Sequence, residues 1–161
     1  MKIGIIVAMG KEYELLQGIS FPQHEIKLVR SGIGKVNAAI SAIELINDFN
    51  PDLVINSGVA GGIDTCLNVA DLVIGTQTCY HDFYAGEVSD HLKGLGFEKF
   101  ISGDEKVVEV VKTIANGRKD VKFGLGCTGD QFITTKEELF KIKEKYPEAL
   151  FVDMESNSIA H

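Results

Sequence analysis

The segment KIGIIVA, Lys2 to Ala8, is apolar at nearly every position. A strand with one wet face alternates polar and apolar residues, whereas a strand buried on both faces has no reason to. Continuous runs of this kind belong to parallel sheets, whose strands are joined by helical crossovers. DLVINS, ending at Ser57, is a second such run, and ALFV, ending at Val152, is the last. Helical patterns fall between them. GKEYELLQG reads as a short helix that Gly18 ends. From Lys35 to Phe49, Val36, Ala39, Ile40, Ile43 and Ile46 keep helical spacing, and Pro51 stops that helix. HEIKLVR (His24 to Arg30), ADLVIGTQTCY and VKFGLGC read as further strands. SGDE (Ser102 to Glu105) and TKEE (Thr135 to Glu138) are capping boxes opening two more helices, the first with a face of Val107, Val108, Val111 and Ile114. The second runs to about Tyr146, before Pro147. Residues 81 to 101 have no clear period and read as a loop. The expectation is one α/β domain over residues 1–161 with a mixed, mainly parallel sheet.

At 161 residues, 45% of them hydrophobic, the chain is the size of one ordinary domain and can bury a core without disulfides or metal. A net charge of −7 argues against general affinity for nucleic acid or an anionic membrane, because phosphate binding needs a basic face. Cys66, Cys79 and Cys127 are odd in number and far apart, which fits a reducing compartment and no zinc site. The N-terminus reads as a first strand, and no run approaches membrane-spanning length. The expected setting is the cytoplasm.

Ligands of open α/β sheets sit at the carboxyl ends of the strands. That rule selects AMGKE, SGIGK, NSGVAGG, CTGDQFI and VDMES. SGIGKVNA has G-x-G at Gly32 and Gly34, but Asn37 stands at the third glycine position and no acidic residue follows at the expected distance. A P-loop fails as well, since Val36 stands where a hydroxyl should bind magnesium. A tight turn accounts for the segment equally well. In NSGVAGG, Gly58, Gly61 and Gly62 leave little side-chain volume, so backbone N–H groups can approach a ligand closely.

Glu12, Asp130, Asp153 and Glu155 lie near predicted strand ends. Each alone has a structural explanation: Asp153 as an N-cap, Glu12 as an anion at a helix N-terminus. Together they are the equipment for activating water, gripping vicinal hydroxyls and stabilising a cation, which is what cleaving a glycosidic bond requires. Phe132 could pack in the core or stack on a base. His81 and Asp82 are adjacent, so their side chains point apart, and the pair reads as loop-ordering. Cys127 has no assigned histidine partner and reads as core.

MKIGIIVAM…E, SGIGKVNAA, PDLVINSGVAGG, YHD, GDQFI and VDMES…IAH resemble, in order, the 5'-methylthioadenosine/S-adenosylhomocysteine nucleosidases of the nucleoside phosphorylase superfamily. The resemblance implies a three-layer α/β/α fold, and AMGKE in place of a phosphate-binding GDP stretch looks like the hydrolase branch. It implies that Glu12 binds and activates the attacking water. Glu155 would hold the ribose hydroxyls, with Met154 packed on the sugar. Met9, Ile33 and Val59 would border the substrate, Ile33 on the alkylthio side, and Ala60 and Gly61 would lie along the nucleoside. Phe132 would stack on adenine, and the backbone of Ile133 would bond its edge. Asp153 stands where the family pattern has glutamate, and Val59 where it often has serine.

No metal or organic cofactor is implied. The implied partners are a small-molecule nucleoside and a second copy in a homodimer, with Leu92, Leu95 and Phe97 of the 81–101 loop as lenders of apolar side chains. Two departures are larger. Only residues 19 to 30 fill the place of an extra hairpin. The family pattern also continues past IAH with the rest of a helix, a strand ending in a Ser-Asp pair that supplies the acid for adenine, and a last helix. The fold is therefore expected to be incomplete at its C-terminal end. A non-catalytic nucleoside-binding relative and a nucleoside phosphorylase are the rival readings.

Overall fold

The computed structural model describes residues 1–84 and 98–161. Leu92, Leu95 and Phe97, expected at a dimer contact, lie outside them. The chain packs as two compact units. The first comprises Met1–Val59 with Met154–Ile159 and His161, and the second comprises Ala60–Asp153 with Ala160.

The first unit is built on three parallel strands in the order β2 (Glu25–Arg30), β1 (Lys2–Val7), β3 (Leu53–Asn56). β1 is central and paired along both edges, and the successive residues Ile5, Ile6 and Val7 are all buried, so both faces are covered there, as the unbroken apolar run requires. Helix α1 (Gly10–Leu16) follows β1, and α2 (Lys35–Phe49) joins β2 to β3. Ile6, Ala42 and Leu45 form the core, with Val29, Phe49, Val54 and Ile159 against it. A β-carbon on Gly4 would stand 2.6 Å from Leu45 Cδ2, so only glycine admits the helix this close to β1. α2 ends on Asn50, in the left-handed region at φ 48°, whose N–H donates to Ile46 O before Pro51.

The buried stripe of α2 corrects the expected one. Ala38, Ala42 and Leu45 face the sheet, while Val36, Ile40, Ile43 and Ile46 are exposed. The helix carries two apolar stripes, and periodicity alone selects the bulkier. Close approach to β1 has room only for the alanine stripe.

The second unit is a sheet in the order β4 (Gly61–Gly62), β8 (Ala149–Asp153), β7 (Val121–Thr128), β5 (Leu72–Tyr80), β6 (Ile101–Ser102). The three central strands are parallel and the two short edge strands antiparallel. Its core joins Cys79, Leu125, Cys127, Ala149 and Val152 to Ile142 and Tyr146 of the α4 region. Thr135 and Glu138 cap α4 (Lys136–Lys145) reciprocally, as TKEE predicts. The other predicted box is corrected. Ser102 is claimed by pairing with Gln77 in β6, so α3 (Glu105–Ile114) starts from Asp104, whose carboxylate accepts the Val107 N–H at 3.0 Å.

The fold is thus mixed α/β, with parallel and mixed sheets flanked by helices. Helix α5 (Ser156–Ala160) follows β8. Among the described residues no helix is long and apolar enough to cross a membrane.

Candidate active site

Glu12 is a buried carboxylate of the first unit. It sits in the first turn of α1 and is only 7% exposed. Its Oε2 accepts the backbone N–H groups of Ala8 at 3.1 Å and Met9 at 2.8 Å, which is a helix-capping arrangement. Its Oε1 accepts the N–H of Val59 at 2.8 Å, and this bond spans 47 residues. Capping α1 does not call for that third contact. It ties the carboxylate to the segment after β3, where Ser57 donates its N–H to Ile6 O and holds the two strand ends level. Gly58 makes the approach feasible, because any β-carbon there would meet Glu12 Oε1.

The SGIGK turn lies after β2 and leads into α2. Gly32 and Gly34 take φ of 84° and 94°, which L side chains rarely adopt. Asn37, in the place of a third glycine, donates from Nδ2 to Ile33 O at 2.6 Å. The buried N–H of Gly34 donates to Glu155 Oε1 at 2.7 Å, a bond across 121 residues. An anion there also faces the N-terminus of α2, where the helix dipole favours negative charge. Glu155 begins α5, and its carbonyl accepts the N–H groups of Ser158 and Ile159.

The first unit therefore joins Met9, Glu12 and Val59 by direct hydrogen bonds, and joins Glu155 to the turn carrying Ile33. Met9, Ile33 and Val59 are exposed, and Met154 is half-buried.

In the second unit, Gly61 pairs with Val152, and Asp153 ends β8 level with Thr128 of β7. Asp153 is not an N-cap. It lies in the strand, and its Oδ1 accepts the Thr128 hydroxyl at 2.6 Å. Ala60 and Phe132 are exposed, the latter at 81%. Ile133 turns its side chain onto the core cluster beneath the loop. Asp82 has the loop-ordering role expected of it, since its Oδ2 accepts the Asp130 N–H at 2.9 Å. Cys127 is packing: it is fully buried 3.7 Å from the Cys79 sulfur, and that contact together with burial pushes its thiol well above the ordinary range, which is the reverse of a nucleophile.

Sequence reasoning missed three supports. The glycines of NSGVAGG suggest ligand approach, but the smallness of Gly58 seats Glu12. In the sequence Asn37 stands out only by occupying the place of a third glycine. Thr128 gave one faint signal, a hydroxyl at a strand end. Among the described residues no cluster of three histidine, cysteine or carboxylate side chains is placed to hold a metal ion.

The family model of the phosphorylase superfamily matches residues 2–161. The 5'-methylthioadenosine/S-adenosylhomocysteine nucleosidase of Actinobacillus succinogenes is 39% identical, the match covering 100% of this chain and 78% of the relative. That of Haemophilus influenzae strain PittEE is 36% identical, covering 99% and 78%. Among solved structures, the S-adenosylhomocysteine nucleosidase of Streptococcus pyogenes in complex with 5-methylthiotubericidin superposes with a TM-score of 0.87 at 29% identity, covering 99% of this chain and 76% of that one. The Neisseria meningitidis nucleosidase in complex with methylthio-immucillin-A gives 0.84 at 32% identity, covering 99% and 78%.

Proposed function

Because the chain belongs to the phosphorylase superfamily and, within it, to the 5'-methylthioadenosine/S-adenosylhomocysteine nucleosidase family, we propose that it hydrolyses the N-glycosidic bond of a 5'-thio-substituted adenosine. Water adds to the anomeric carbon as the bond to the adenine nitrogen breaks; the water gives up one proton, the departing adenine gains one from solvent, and neutral adenine and the thioribose are the products. The observation that carries this reading is the seat of Glu12. A carboxylate offers about four acceptor sites. Three are taken by the N–H groups of Ala8, Met9 and Val59, which orient the group and leave a site on Oε1 for a water. Glu12 takes the proton of that water, and its charge favours the cationic sugar of the transition state.

Glu155 takes the ribose hydroxyls, with one oxygen already held by Gly34. Met9, Ile33, Val59 and Met154 border the sugar and its sulfur substituent, and Ala60, Gly61 and Asp153 lie along the nucleoside. Phe132 stacks on the base. An aromatic ring 81% exposed on a loop is available for that, and Ile133 anchors the loop while leaving its backbone to the adenine edge. The reaction calls for no metal or organic cofactor.

The working form is a homodimer in the cytoplasm. Support for the dimer is the exposed row Val36, Ile40, Ile43 and Ile46 on α2, an apolar face of the kind that a partner covers. Support for a reducing compartment is that Cys66, Cys79 and Cys127 are all free thiols.

The test is adenine release from methylthioadenosine by the purified protein, with and without inorganic phosphate. Phosphate-independent release to free thioribose is expected. Release that requires phosphate and yields the sugar phosphate would replace hydrolysis by phosphorolysis, and methylthioadenosine bound without any release would replace it by the non-catalytic, nucleoside-binding reading.

A further inference from the structure

We propose that Asn37 is a positioning residue for Glu155 and acts on it through a single peptide group. The Ile33–Gly34 peptide is held at both ends. Its oxygen, on Ile33, accepts from Asn37 Nδ2 at 2.6 Å, and its N–H, on Gly34, donates to Glu155 Oε1 at 2.7 Å. A trans peptide is a rigid plane whose C=O and N–H point in opposite directions. Fixing the oxygen therefore fixes the direction of the N–H, and the N–H holds the carboxylate.

The turn needs such a lock. Gly32 and Gly34 flank Ile33, both at positive φ, and glycine moves between backbone wells at little cost. Half a turn of this peptide would aim the Ile33 oxygen at the Glu155 carboxylate. Two acceptors would then face each other, and the buried N–H of Gly34 would lose its partner. Asn37 opposes the flip, because turning the peptide would break the bond from its Nδ2 to the Ile33 oxygen and bring the Gly34 N–H against that donor unless the amide turned over as well. The side chain also packs against the turn, with Nδ2 3.5 Å from where a β-carbon of Gly32 would stand. Helix formation does not ask for asparagine here: position 37 is exposed in the first turn of α2, and alanine is the stronger helix former.

The inference rests on the role proposed for Glu155, and two readouts keep them apart. The first is a double-mutant cycle of Asn37→Ala with Glu155→Ala, following kcat and KM for methylthioadenosine in the full chain. Misplacing a catalytic contact by about 1 Å costs up to about 100-fold. Asn37→Ala should lower kcat by roughly 10- to 100-fold with the melting temperature almost unchanged, and Asn37→Asp, which replaces the donor by a repelling acceptor, should lower it further. With Glu155→Ala already present, Asn37→Ala should change the rate by no more than about twofold. Equal losses in both backgrounds, or no loss in either, would overturn the proposal. The second readout is hydrogen exchange at the Gly34 amide, which needs no turnover. It should be slow in the parent and faster in both Asn37 variants, and unchanged exchange would overturn the lock. A parent without adenine release but with accelerated exchange in the variants would leave the lock standing and remove the assigned reaction.

Discussion

A β-carbon on Gly58 would stand 2.8 Å from Oε1 of Glu12, closer than such atoms pack. The atom in its way is the far end of a flexible side chain, so the chain can still fold by swinging the carboxylate aside. Gly58→Ala is thus expected to keep a near-normal melting temperature while kcat falls by as much as about 100-fold, the cost of a misplaced catalytic group. Parallel melting and adenine-release measurements check this. Unimpaired turnover would mean that the Val59 contact has no part in the reaction.

Glu12→Gln should lower turnover by about 100- to 10,000-fold, the range for losing a general base. It should also cost stability. An amide has one acceptor oxygen, and its NH2 would face at least one of the three backbone N–H donors. A buried donor left without an acceptor costs about 1–3 kcal/mol. Both effects are expected together, by adenine-release assay and by denaturant titration.

Phe132→Ala separates binding from folding. The ring is 81% exposed, so its loss should leave stability within about 0.5 kcal/mol. Stacking on a base contributes about 1–3 kcal/mol, which is about a 5- to 150-fold weakening of nucleoside affinity. Calorimetric titration with an adenosine analogue measures it, and an unchanged affinity would remove Phe132 from the site.

Glutamate introduced at Ile40 or Ile43 should convert a dimer to a monomer at micromolar concentration without unfolding it, because both side chains are exposed on the chain's own α2. Light scattering across a concentration range reads the mass. A mass unaltered by either substitution places the dimer contact elsewhere.

Asp64 and Lys143 supply a pH dependence. The Lys143 ammonium bonded to Asp64, with the Cys66 backbone N–H, holds the Asp64 carboxyl well below the usual carboxylate range. A carboxyl lowered in the folded state stabilises it fully above its unfolded value, about pH 3.9, and that contribution is lost as pH falls through the lower folded value. Asp64→Asn should therefore melt below the parent at neutral pH. The gap should stay constant down to about pH 5 and close in stronger acid. A gap that widens in acid would contradict the assignment.

Much of this protein is legible in its sequence because the determining physics is local. The apolar runs of β1 and β8 mark strands buried at successive positions, although DLVINS forms the edge strand β3 with Ile55 exposed; TKEE carries its own cap, and Asn50-Pro51 ends a helix by backbone geometry. Glu12 was legible as an anion in a first turn, since two of its three hydrogen bonds go to residues three and four positions away. What the sequence left open depends on contacts between distant segments. Which stripe of α2 is buried follows from how near Leu45 comes to Gly4, and no periodicity carries that distance. Ser102 yields its cap to Asp104 because β5 lies beside it. Gly58 at Glu12, and Gly34 at Glu155, join residues 46 and 121 positions apart, and only the tertiary structure decided that each glycine serves a carboxylate.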